Sequence, residues 1–421
     1  MKKLCRSFAT LAALLSLVVN PLLAAPGPRA NDFIRVDGDR PRIKHVFVIV
    51  LENEGFDVTF GPASKAPFLS KTLVSEGVLL NQYYGTGHVS LDNYVAMLSG
   101  QAATPQTRSD CTVFADFVQT GLTLDGQAIG TGCVYPATIK TLPDQLTAAG
   151  KTWRGYMEDM GNDPAREAAA CGHPDLNSVD HTQAAEPPSA AFPLGDQYAS
   201  RHDPFVYFHS IIDSPDCQKN VVNLSQLPID LATKSATPNF VFITPNLCDD
   251  GHDAPCKNGQ PGGLVSADAF LQKWVPLIMA SDAYKEDGLL IITFDEAGLS
   301  VGANPNGPGI LVSAPGLFCC NEQPGPNLGP FPQTANITPT VALQFQNYGG
   351  DRTGTVLLSP ILKPGTASDT PFNHYSMLKS IEDIFDLDEH LGYAAQPGLV
   401  GFFGPVSSDI VLKDGDHGDR R

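Results

Sequence analysis

The stretch IKHVFVIVLENEGFDVTFG, residues Ile43 to Gly61, decides how the chain folds. His45 to Leu51 are almost all apolar and β-favouring. A continuous run of this kind predicts a strand covered on both faces, as in a parallel sheet. The run stops abruptly at Glu52-Asn53. Carboxylates are rarely buried unless they are paired or coordinate a metal, so this strand tip needs a partner.

Further apolar runs read as buried strands: Val46–Leu51 within the first stretch, then Thr152–Met157, Phe240–Thr244, Leu289–Phe294 and Gly309–Ser313. Helical spacing is expected over Pro67–Glu76, Ser90–Leu98, Leu142–Ala149, Ser266–Ala280 and Tyr375–Phe385. In the fourth of these, Ser266 is the expected N-cap, with Phe270, Trp274 and Leu277 on one face. Apolar strands alternating with helices predict an α/β sandwich around a mostly parallel sheet. No linker run divides the chain into two domains.

The N-terminus has the pattern of a secretory signal peptide. Lys2, Lys3 and Arg6 precede an apolar stretch, and Leu22-Leu23-Ala24-Ala25 offers small residues for cleavage. The expected layout is a leader over 1–25, a catalytic domain over 26–412 and a polar tail over 413–421. The protein is thus expected to be exported, periplasmic or secreted, with no stable membrane anchor. Eight cysteines remain after Cys5 leaves with the leader. Proximity pairs Cys111 with Cys133, Cys248 with Cys256 and Cys171 with Cys217, and leaves Cys319-Cys320 as a vicinal bridge or two thiols. The formal net charge is −18. Bulk charge of this sign excludes binding to nucleic acid or anionic membrane, so any handling of anions needs local cations or a metal. Nothing in the sequence speaks to oligomeric state.

The other strands also end in polar groups. NFVFITPNLCDDGHD runs into Asn246, Asp249, Asp250, His252 and Asp253, and GLLIITFDEAG ends in Asp295-Glu296. Ligands of open α/β sheets bind beyond the carboxyl ends of the strands. Three such tips on one edge therefore suggest a site for a divalent cation, which would relieve the repulsion among clustered carboxylates. In GTGHVSLDNYVAMLSG, Gly85 and Gly87 permit a tight turn and Ser90 sits where a helix starts. A hydroxyl there faces unpaired N–H groups and the positive end of the helix dipole. The same position also suits a plain helix cap. Arg201 offers a cation for phosphoryl oxygens, and His202 or His252 a proton for a leaving oxygen.

Taken together, IKHVFVIVLENEGFDVTFG, GHVSLDNYVAMLSG, RHDPFVYFHS, TPNLCDDGHD, ITFDEAG and FNHYSMLKSIEDIF resemble the phosphoesterase family, over roughly Ile43 to Leu387 and in the family's order. That family contains bacterial and fungal acid phosphatases and bacterial phospholipases C. The resemblance implies an alkaline-phosphatase-like, three-layer α/β/α sandwich with a mostly parallel central sheet. It also implies one divalent metal ion (Ca²⁺, Mg²⁺, Mn²⁺ or Zn²⁺) held by Glu52, Asn53, Ser90, Asp295 and Glu296. Ser90 would be the nucleophile, His202 or His252 the proton donor, with His202 slightly preferred. The expected substrate-binding residues are His88, Arg201 and Asp253. One departure is Ser90-Leu91-Asp92-Asn93-Tyr94, where the family pattern has proline at the third position.

The expected activity is hydrolysis of phosphate monoesters through a serine nucleophile, with an acidic pH optimum. The alternatives are a phospholipase C-like phosphodiesterase and a non-catalytic phosphate- or metal-binding protein.

Overall fold

Every residue of the first strand is buried, and its side chains enter two separate cores by turns. Val46, Val48 and Val50 pack with Tyr94, Leu98 and Ile381; Phe47, Ile49 and Leu51 pack with Leu271, Val275 and Ile278. An all-apolar strand is what a sheet covered on both faces requires. The computed structural model describes residues 43–403, apart from 194 and 306. The expected leader and tail, and both expected domain boundaries, lie outside the described residues.

The central sheet has eight strands: β1 (His45–Leu51), β2 (Val78–Leu80), β3 (Trp153–Met157), β4 (Val221–Asn223), β5 (Phe240–Thr244), β6 (Gly288–Phe294), β7 (Thr355–Leu358) and β8 (Thr366–Ser368). Their spatial order is β8-β2-β7-β6-β1-β5-β3-β4. Only β7 runs against its neighbours. One face is covered by α1 (Ser90–Ser99), α2 (Leu142–Ala148) and α5 (His374–Ile384); the other by α3 (Gly263–Ala280) and α4 (Asp282–Asp287). The expected three-layer α/β/α sandwich with a mostly parallel sheet is therefore the fold. No helix among the described residues is long and apolar enough to cross a membrane.

Three local expectations need correction. The run expected as a buried strand over 309–313 is the strand Ile310–Ala314, largely half-exposed, in a separate four-stranded sheet spanning residues 300–345. Its apolar residues are covered on one side at most. The helix expected from Ser266 begins at Gly263, with Gly262 as N-cap; Ser266 Oγ lies within the first turn and accepts the Gly262 N–H at 3.1 Å. Leu277 is 46% exposed, because the buried stripe passes instead through Phe270, Leu271, Trp274, Val275 and Ile278. The three expected disulfides are present, and Cys319 and Cys320 are bonded to each other.

Candidate active site

Parallel register explains how distant carboxyls meet. Leu51 of β1 lies opposite Phe294 of β6, so Glu52 and Asp295 leave the sheet side by side. The Asp295 N–H donates to the Leu51 carbonyl at 2.9 Å, and the Glu52 N–H to the Asp250 carbonyl in the loop after β5 at 2.8 Å. Asn53 takes a left-handed turn (φ 60°), which asparagine tolerates, and its N–H donates to Asp295 Oδ1 at 2.9 Å. Its side-chain amide donates to Glu52 Oε2 at 3.0 Å. All three expected strand tips thus converge. Glu52 and Asp295 are fully buried. Burial, then the charge of Asp295, raises the Glu52 pKa well above the carboxylate range; burial, then Glu296, does the same to Asp295. Asp295 Oδ2 has no hydrogen-bond partner.

Ser90 completes this floor. Its Oγ donates to Glu52 Oε2 at 2.7 Å, while Tyr94, one turn along α1, donates to Glu52 Oε1 at 2.5 Å. Ser90 is the first residue of the helix, not its cap; that place belongs to Val89, which makes no side-chain cap bond. Val89 has φ 82°. A β-branched residue there is strained, at a cost of about 1–3 kcal/mol, and such strain collects at active sites. The strain is held from both sides. The Val89 N–H donates to Glu296 Oε2 at 3.1 Å. Asn93 Oδ1 accepts the N–H groups of Thr86 and Gly87, and its Nδ2 donates to the carbonyls of Gly87 and Val89. A Cβ on Gly87 would come within 2.3 Å of Asp92 Oδ2, so the turn requires glycine there.

The histidines divide into two kinds. His202 is buried beneath Tyr94, stacked at 5.3 Å. Its Nε2 and Nδ1 lie 3.5 Å from Glu52 and Asp250 carboxylates, too far and too poorly aimed for hydrogen bonds. Burial, then the cations Arg201 and His252, holds its pKa well below the usual value. His252 stands at the rim, its side chain 45% exposed, with Nδ1 2.8 Å from Asp253 Oδ1. That bond raises its pKa to about 9 despite partial burial. Asp253 thus meets His252 directly. Arg201 is buried, with Nε 3.5 Å from Asp110 and Nη1 donating to the Gln183 carbonyl. Asp110 also accepts the Leu91 N–H, which ties Arg201 to the first turn of α1. His88 bridges Glu296 through Nδ1 and Asp351 through Nε2. Burial pulls it down, but these carboxylates prevail and raise its pKa to about 9.

Among the described residues, no three His, Cys, Asp or Glu side chains are arranged as a metal cage. Glu296 Oε2 faces His88 and the Val89 N–H. The inner group nonetheless fits a cation. Two fully buried carboxyls lie side by side, one oxygen of Asp295 is unpartnered, and an amide and a hydroxyl adjoin them. Such all-oxygen donors suit a hard divalent ion.

Residues 63–388 match the phosphoesterase family. The chain belongs to this family. The expected enzyme class, hydrolysis of phosphoric esters, is that of the family. Among this phosphoesterase's relatives, a probable acid phosphatase of Kluyveromyces lactis is 23% identical over 92% of this chain and 68% of that protein. A phosphate-repressible acid phosphatase of Penicillium chrysogenum is 26% identical over 59% of this chain, which spans only 47% of it. A phosphatidylinositol-3-phosphatase of Mycobacterium tuberculosis is 23% identical over 86% and 84%. An alkaline phosphatase superfamily structure from Vibrio parahaemolyticus overlies the fold loosely, with a TM-score of 0.43 at 11% identity over 87% of this chain and 72% of that one.

Sequence reasoning passed over Tyr94, Asn93, Asp110 and Asp351. Asn93 and Tyr94 lay in the quoted Ser90 motif, one turn after the serine; Asp351 lies in no pattern. Asn93→Ala is expected to cost about 2–4 kcal/mol of stability, because it strands several buried backbone groups. Thermal denaturation beside turnover of the purified variant checks this, with activity expected to fall further than the folded fraction.

Proposed function

We propose that the protein is an exported, metal-dependent phosphomonoesterase of acid-phosphatase type with Ser90 as nucleophile. The observation that carries this reading is Ser90 Oγ: placed at the start of α1, it caps nothing and instead donates to the buried Glu52. The fungal relatives named acid phosphatases and the mycobacterial relative named a phosphatidylinositol phosphatase support a monoester substrate. Four disulfides suit an oxidising compartment, in keeping with the leader pattern.

Glu52, Asn53, Asp295 and the Ser90 hydroxyl would hold the divalent ion, with Glu296 beside them. When bound, such an ion neutralises the facing carboxyls, polarises a phosphoryl oxygen and lowers the pKa of the serine. The chain's own groups do the rest. With Glu52 in its ionised form, Ser90 Oγ attacks phosphorus while its proton passes to Glu52 Oε2. Arg201 supplies fixed positive charge beneath the first turn of α1. As the ester bond breaks, the leaving oxygen takes the proton held by His252. A water then cleaves the Oγ–P bond, giving one proton to His252 and releasing inorganic phosphate, while Ser90 recovers its own.

The geometry prefers His252 to His202 for the acid role. His252 is exposed at the rim and kept protonated by Asp253; His202 lies in the floor among groups that keep it neutral.

Two outcomes test the scheme. Ser90→Ala is expected to lower turnover at least about a thousandfold and to abolish phosphoserine trapped by acid quench with labelled substrate. Unchanged turnover would exclude Ser90. For His252→Asn, alkyl phosphates are expected to slow by about 10²–10⁴-fold while p-nitrophenyl phosphate, whose leaving group needs little proton help, changes far less. Because the folded pKa of His252 is raised, the protonated acid is present below about pH 9 and lost above it. The wild-type rate should therefore fall above that pH, and the variant should lack that limb.

A further inference from the structure

The motif FNHYSMLKSIEDIF, residues 372–385, has no task in the chemistry proposed for Ser90. Its histidine, His374, is the first residue of α5 and is fully buried. Nε2 lies 2.6 Å from the Asp295 carbonyl oxygen, and Nδ1 lies 2.9 Å from the Tyr83 hydroxyl. A carbonyl only accepts, so Nε2 carries the hydrogen, and in the neutral ring Nδ1 accepts from Tyr83. Both partners are held in place. Tyr83–Tyr84 pairs in parallel with Phe372–Asn373, which brings the tyrosine alongside, and Asn373 caps α5 by accepting the Ser376 N–H at 3.1 Å. Gly85 packs against the same carbonyl, since a Cβ there would come within 2.5 Å of its oxygen.

The peptide that His374 grips joins Asp295 to Glu296. At its other end the Glu296 N–H donates to Asp295 Oδ1 at 2.6 Å. A peptide unit is planar, so a fixed carbonyl direction fixes the N–H direction as well. The Asn53 N–H meets the same Oδ1 at 2.9 Å. Two backbone donors therefore hold one oxygen of the carboxyl, and Oδ2 is left unpartnered. A buried histidine with both nitrogens bonded is usually a packing element. This one differs because its bond runs to the peptide that sets the carboxyl of Asp295.

We propose that His374 is a positioning residue for the cation site: held by Tyr83, it locks the Asp295–Glu296 peptide so that Asp295 Oδ2 stays free for the divalent ion. It touches neither ion nor substrate and acts only through Asp295. The inference rests on the metal-dependent reading above.

Calorimetric titration of the purified protein with Mn²⁺, Ca²⁺, Mg²⁺ and Zn²⁺ tests it, following the binding event that Asp295→Ala removes. His374→Phe, which keeps a flat ring but no donor, is expected to raise Kd about tenfold or more. His374→Gln, whose amide can reach the same carbonyl, should recover most of that loss. Tyr83→Phe, which lets the ring change tautomer, should raise Kd severalfold, and it carries the test if His374→Phe does not fold. Ser380→Ala removes the bond between Ser380 Oγ and the Phe402 N–H farther along α5. It should lower the melting temperature and leave Kd within about twofold. Unchanged Kd in folded His374→Phe, or in Tyr83→Phe, would overturn the proposal. So would a Gln variant no better than Phe, or an equal loss in Ser380→Ala, either of which makes His374 a packing element alone. Wild-type protein with no binding event that Asp295→Ala removes would instead sink the metal-dependent reading, and this inference with it.

Discussion

Two carboxyl groups pressed together in the dry floor of a sheet are the constraint on which the site depends. Glu52 and Asp295 sit side by side because β1 and β6 are parallel neighbours in fixed register, and both are wholly buried. Neither can ionise cheaply there; burial pushes both toward the neutral form, and the charge of Asp295 adds to it for Glu52, that of Glu296 for Asp295. The surrounding groups all answer this problem. Tyr94 and Ser90 donate to Glu52, the Asn53 N–H donates to Asp295, and one Asp295 oxygen still lacks a partner. A cation there would convert an unfavourable floor into a reactive one, in keeping with the oxygen donors that adjoin it.

The central strands were legible because they are buried on both faces. Val46–Leu51, Phe240–Thr244 and Leu289–Phe294 each read as an unbroken apolar run, and each ends in the polar groups that converge. The second sheet was not legible. Its two middle strands are half-exposed and its outer two largely exposed, yet the apolar residues of the run at 309–313 read like those of another core strand. The start of α3 was misplaced for a similar reason: Gly262 and Gly263 look like loop, yet their positive φ values turn the chain directly into the helix.

Within the site, residue types were legible and their partners were not. Sequence grouped Glu296 with the other acids, but its carboxylate faces His88 and the Val89 N–H. Val89 itself carries no signal, since its strain exists only in the context of Asn93 and Glu296. Asp351 shows the same limit. It accepts from His88 and from the N–H groups of Gly316 and Leu317, and so fastens the chain that follows the second sheet's early strands to the turn before Ser90. Contacts across hundreds of residues leave no local pattern.

The central claim is that strand tips remote in sequence share one cation with a serine oxygen. It is tested most directly by a crystal structure of the protein grown with manganese, with the ion located by its anomalous scattering. The account predicts one strong peak in contact with Glu52, Asp295 and Ser90 Oγ. Peaks elsewhere, with Glu52 and Asp295 left touching only each other and their protein donors, would contradict it.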